Sequence, residues 1–147
     1  MQTSLVRAEE SRDLLASREQ LWSFLAEPYH LSDWWPGIAS VQPDRRGLAP
    51  GARWSLVGRG EPTLFRKAHA TNMLIVREVQ PLERVSFHLL AQRLDVEIVL
   101  RALDADRTRV TVAVAGRWRP EALGRPRALP RHALARLHAL VQTAASL

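Results

Sequence analysis

The side chains best suited to proton transfer or metal binding in this chain are five histidines, His30, His69, His88, His132 and His138, and the carboxylates Asp95 and Glu97. His132 and His138 lie six positions apart in an Ala/Leu-rich stretch. On a helix that separation turns the two rings about 120° away from each other, so they cannot grip one ion. His69 shares its parity with Phe65 and Met73, which places it to point inward from a strand as a base or a hydrogen-bonding group; a solvated or internally bonded imidazole is the plainer account. Asp95 and Glu97 fall on the polar side of an alternating stretch, where pairing with Arg84 or Arg109 explains them without catalysis. There is no Gly-x-Ser-x-Gly elbow, phosphate loop or dinucleotide fingerprint, so covalent hydrolysis and cofactor redox chemistry have no foothold. The sequence calls for no cofactor and no metal.

The other chemically useful set is aromatic. Trp34, Trp35, Trp54, Phe65, Phe87 and Trp118 can line a concave, mostly apolar site of the kind that holds a small molecule, or they can be ordinary core. Trp35 and Trp54 are the preferred wall residues, Trp35 because it leaves a helix beside the Pro36-Gly37 opening.

These side chains need elements to position them. Ser17 is placed as an N-cap, with Gln20 at the capping-box spacing. Leu21, Trp22, Phe24 and Leu25 then recur at helical spacing. Pro28 ends that turn, and Leu31, Trp34 and Trp35 carry a second short helix that Pro36-Gly37 closes. An opening strand at 5–14 precedes this helical segment, a short extended run follows it at 38–41, and stretches read as strands come after at 51–57, 64–79, 84–90, 93–103 and 108–115. In the stretch at 64–79, Phe65, Met73, Ile75 and Val79 suggest one buried face, but Leu74 and Val76 oppose them, so the strand is either buried on both sides or bulged near Arg77. Five or six consecutive strands joined by short turns argue an antiparallel meander, with no room for parallel crossovers. The cover comes last, as a helix over 126–147 with Leu134, Leu137, Leu140, Val141 and Ala144 in a stripe and Pro130 in its first turn.

One domain of 147 residues is large enough to bury about two-thirds of the surface of its unfolded chain. Without cysteine there is no disulfide framework, in keeping with a reducing cytoplasm. The amino terminus lacks the apolar run of a signal peptide, and no stretch is long and apolar enough to span a membrane. The net charge of +6 is uneven: residues 1–115 carry 15 basic and 14 acidic side chains, a balance of +1, while residues 116–147 carry six Arg against Glu121, a balance of +5. Twenty of the 21 basic residues are Arg, which points to genome composition rather than phosphate recognition, so nucleic acid is not an expected partner. The basic end, with Arg117, Arg119, Arg125, Arg127, Arg131 and Arg136, is a solvated face or a dock for an anionic partner.

Taken together, Ser17-x-x-Gln20-Leu21-Trp22-x-Phe24-Leu25-Ala26-Glu27-Pro28, Leu31-x-x-Trp34-Trp35-Pro36-Gly37, Gly51-Ala52-Arg53, the strand, Pro turn, strand unit from Arg77 to Phe87, and Thr108 to Val112 resemble the START-like superfamily, also called the helix-grip or SRPBCC fold, and within it the polyketide cyclase/dehydrase-like group. The resemblance covers nearly the whole chain. It implies an α+β helix-grip fold: a curved antiparallel sheet wrapped around a long C-terminal helix, with two short helices after the first strand. It also implies a cavity between sheet and helix for a hydrophobic small molecule such as a lipid, an aromatic or a polyketide-like compound. The expected lining is Trp35, Trp54, Phe65, His69, Phe87, Trp118, Leu134, Leu137 and Val141. Two alternatives stand beside simple binding: a cyclase or dehydratase using His69 or Arg66 in the same cavity, and a co-chaperone-like interaction module. A cytoplasmic monomer or homodimer is expected.

Overall fold

The computed structural model describes residues 3–58, 72–118 and 124–145. In chain order these form β1 (Ser4–Leu14), α1 (Arg18–Ala26), a 3-10 turn (Pro28–His30), α2 (Leu31–Trp34), β2 (Ile38–Gln42), β3 (Arg53–Gly58), β4 (Asn72–Gln80), β5 (Arg84–Leu89), β6 (Leu94–Ala102), β7 (Thr108–Trp118) and α3 (Gly124–Ala145). The capping box closes as expected. The Gln20 N–H donates to Ser17 Oγ at 3.2 Å, and the Ser17 N–H donates to Gln20 Oε1 at 2.9 Å. Of the apolar stripe on α1, Leu21 and Leu25 are buried, while Trp22 and Phe24 are half-buried.

All seven strands join one antiparallel sheet in the order β1-β7-β6-β5-β4-β3-β2. Strands adjacent in sequence are adjacent in the sheet from β2 to β7, and β1 returns to pair with β7 along its full length. The first two strands therefore sit on opposite edges, and the α1-α2 segment carries the chain from one edge to the other. From β3 to β7 one face is largely apolar: Trp54 and Leu56 on β3, Val85, Phe87 and Leu89 on β5, Leu94, Val96, Ile98 and Leu100 on β6, and Val110, Val112 and Val114 on β7 are all buried in one cluster. The architecture is the helix-grip fold.

β4 carries the bulge that the sequence left as one of two alternatives. Val76 pairs with Phe87 and Glu78 with Ser86, so Arg77 is the extra residue. Before it, the inward positions are the even ones, Leu74 and Val76, both essentially inaccessible; after it, Val79 stands opposite Val85 on that same face. A single inserted residue switches the parity, which is why neither simple alternation accounts for the strand, and Met73 and Ile75 do not belong to the core face.

α3 packs against β1, β7 and α2 and brings Ala133, Leu134, Leu137 and Val141 into the core. It begins earlier than expected, at Gly124, so Pro130 lies inside the helix rather than in its first turn. There it removes the N–H that would bond the Pro126 carbonyl. Among the described residues, no helix is long and apolar enough to cross a membrane.

Candidate functional site

The expected wall residues that can be placed fall into one neighbourhood, with Trp118 at its edge. Trp35 leaves α2 into the core, only 2% exposed, and meets Phe87 of β5 edge to face, with ring centroids 5.9 Å apart at 80°. Trp34 stands edge to face on Trp35 at 5.8 Å and 88°. These are the separations at which aromatic quadrupoles attract. Leu134, Leu137 and Val141 join the same buried cluster from α3, and Trp54 joins it from β3. Trp54 is also anchored, its Nε1 donating to the Gly47 carbonyl at 2.8 Å. Trp118 is the most peripheral: half-buried at the end of β7, it donates to the Gln92 carbonyl at 3.1 Å. Its ring lies where a Cβ on Gly116 would come, within 2.5 Å. Phe65 and His69, with Arg66, lie outside the described residues.

The interior is poor in polar groups. Among the described residues, Thr108 is the only buried polar or charged side chain, and its hydroxyl is occupied by the Ala16 carbonyl at 2.8 Å. Trp34 adds one more polar atom. Only 3% of that residue is exposed, and its indole Nε1–H has no hydrogen-bond partner. A buried donor left in that state costs about 1–3 kcal/mol. The sequence marked Trp34 as one of six aromatic candidates, but nothing in its spacing distinguishes an indole that finds a carbonyl from one that does not.

The ion pairs among the described residues lie outside the buried cluster. Glu97 pairs with Arg84 at 2.6 Å, as expected, whereas Asp95 takes His88 at 2.8 Å and Arg109 takes Asp13 at 2.8 Å. The hydrogen bond from Arg109 holds the Asp13 carboxyl below its ordinary range. Asp44 is lowered in the same direction, first by the Arg53 backbone N–H. Open depressions are also present, two of which bear on the sheet face and on α3. A groove of ≈ 400 Å³ is lined by residues including Arg7, Arg77, Ser86, Phe87, Glu97 and Ala113. A smaller crevice of ≈ 250 Å³ between α1 and α3 is lined by Leu15, Gln20, Ser23, Phe24, Val141 and Ala144. Neither gathers the groups of an acid-base pair around an enclosed space.

Solved structures similar to this one share its fold at low identity. A protein of unknown function from Staphylococcus aureus superposes with a TM-score of 0.75 at 10% identity, over 99% of this chain and 98% of that one. Norcoclaurine synthase from Thalictrum flavum, in complex with dopamine and hydroxybenzaldehyde, gives 0.69 at 15%, over 97% and 89%. An uncharacterized protein from Bacillus thuringiensis gives 0.70 at 14%, over 92% and 98%. No curated protein matches by sequence. The model of the Activator of Hsp90 ATPase homolog 1-like protein family matches residues 15–141. That span runs from the turn before α1 through most of α3, and the chain belongs to this family, within the START-like superfamily.

Proposed function

We propose that this protein binds a hydrophobic small molecule, of lipid, aromatic or polyketide-like character, between the inner face of its sheet and α3, against Trp35, Trp54, Phe87, Leu134, Leu137 and Val141. The observation that carries this reading is the chemistry of that face. It is largely apolar from β3 to β7, its one buried polar side chain among the described residues is already bonded, and an aromatic cluster stands at its centre. Such a surface rewards an apolar guest by about 25 cal/mol for each Å² removed from water and offers a charged guest nothing. The setting agrees with it, since members of this superfamily bind hydrophobic ligands and some are cyclases.

The test is a titration with Nile red, a neutral dye that brightens in apolar surroundings. A saturable rise with one site per chain, accompanied by quenching of tryptophan emission, is the expected result. A linear, unsaturable response would remove the reading.

A second reading, a protein-interaction module, is favoured by one observation, the name of the matching family, Activator of Hsp90 ATPase homolog 1-like protein. The exposed Arg127 and Arg131 on α3 would then face an acidic partner.

A further inference from the structure

We propose that the indole Nε1–H of Trp34 is the polar recognition point of the interior, donating to an acceptor oxygen on an otherwise apolar, uncharged ligand. This rests on the binding reading above and specifies its ligand: an aromatic or aliphatic molecule with a carbonyl or ether oxygen placed inward, rather than a plain hydrocarbon or a carboxylate.

Three observations converge. First, Trp34 is 3% exposed, and its Nε1 is without a partner, whereas the indoles of Trp54 and Trp118 both donate to backbone carbonyls. Folded chains rarely leave a buried donor unanswered. Second, the orphan donor belongs to the aromatic cluster itself, one ring from Trp35 and two from Phe87. A flat apolar ligand against that cluster therefore has a hydrogen-bond donor at its edge. Third, the described interior contains no buried cation. A carboxylate or phosphate there would be desolvated without a counter-charge, which is costly, while a neutral carbonyl needs only the one donor.

Two probes of similar shape separate these possibilities: 2-acetylnaphthalene, which carries a ketone, and 2-ethylnaphthalene, which does not. Affinities are read by chemical-shift titration for the parent protein and for Trp34→Phe, and their ratio is compared. The preference for the ketone over the hydrocarbon should fall by about five- to tenfold in the variant, the net worth of one hydrogen bond, while the smaller ring alters the apolar contact of both probes alike. In the parent protein the Trp34 indole N–H resonance should move downfield with the ketone and not with the hydrocarbon, a readout that survives even if Trp34→Phe does not fold. A ketone preference that persists in the variant, or a Trp34 resonance that the ketone leaves in place, as an internal water on Nε1 would produce, overturns the proposal while hydrophobic binding stands. If neither probe saturates, the binding reading itself fails and this inference falls with it.

Discussion

Among single residues, the indoles divide most sharply. Trp54 and Trp118 use their N–H groups to pin loops to the sheet, through Gly47 and Gln92; Trp34 keeps its own unused inside the core. That division was not legible in the sequence. A tryptophan's burial follows from its neighbours' periodicity, but its hydrogen bond depends on which loop carbonyl the tertiary fold delivers. Charged residues were more readable, because parity fixes which face a strand residue takes. Parity put Glu97 on the outer face, where Arg84 meets it, yet it could not tell that Arg109 would turn to Asp13 on the neighbouring β1. Asp13 and Asp44 carry a consequence for acid stability. Both are held below the ordinary aspartate value in the folded chain, by Arg109 and by the Arg53 N–H respectively. A lowered folded pKa means that the ionised form is tied to the native state. The stability is therefore present above the unfolded value of about 4 and is lost as pH falls through the depressed native values. Denaturant unfolding of the parent and of the double variant Asp13→Asn/Asp44→Asn should differ at pH 7 and converge towards pH 2; parallel curves across that range would refute the assignment.

Among elements, β4 and α3 decide how the core is filled, and each departs from the simplest pattern for a local reason. The bulge at Arg77 moves the core face from even to odd positions, so the conflict between Leu74, Val76 and Val79 was visible before its cause. α3 starts at Gly124 and accepts Pro130 in its interior, because the apolar stripe that it buries is long enough to outweigh one missing backbone bond. It has no acidic residue in its first turn and no basic residue in its last, so no side-chain charge there complements its dipole and the helix depends on docking against β1, β7 and α2. Leu137 sits on its inward side, 1% exposed, and tests whether the interior has room for a guest. If it does, Leu137→Trp occupies that room, folds with nearly the parent's melting temperature and binds Nile red at least about tenfold more weakly, equivalent to about 1.4 kcal/mol. If the interior is already solid, the added volume costs about 1–3 kcal/mol and lowers the melting temperature.

For the molecule as a whole, the sheet's connectivity turns a short helical segment into a bridge. β1 and β2 lie on opposite edges, and the chain that joins them holds the three tryptophans of the first helical region, Trp22, Trp34 and Trp35. The aromatic cluster is thus placed by topology rather than by any one helix. Much of this was legible. Alternation pointed to an opening strand and five or six consecutive strands after the helical segment, against the seven of the sheet, helical spacing gave α1 and α3, and motifs including those at 17–37 and 77–87 carried the resemblance that named the fold. The interior was less so, because an apolar side chain that lines a cavity and one that packs in a core obey the same periodicity. The measurement that bears most directly on the central claim is a set of intermolecular nuclear Overhauser effects from bound 2-acetylnaphthalene to the protein. The account predicts contacts to the methyls of Leu134, Leu137 and Val141 and to the rings of Trp35 and Phe87. Contacts confined to Arg7, Ala113 and the rest of the groove that they line would contradict it.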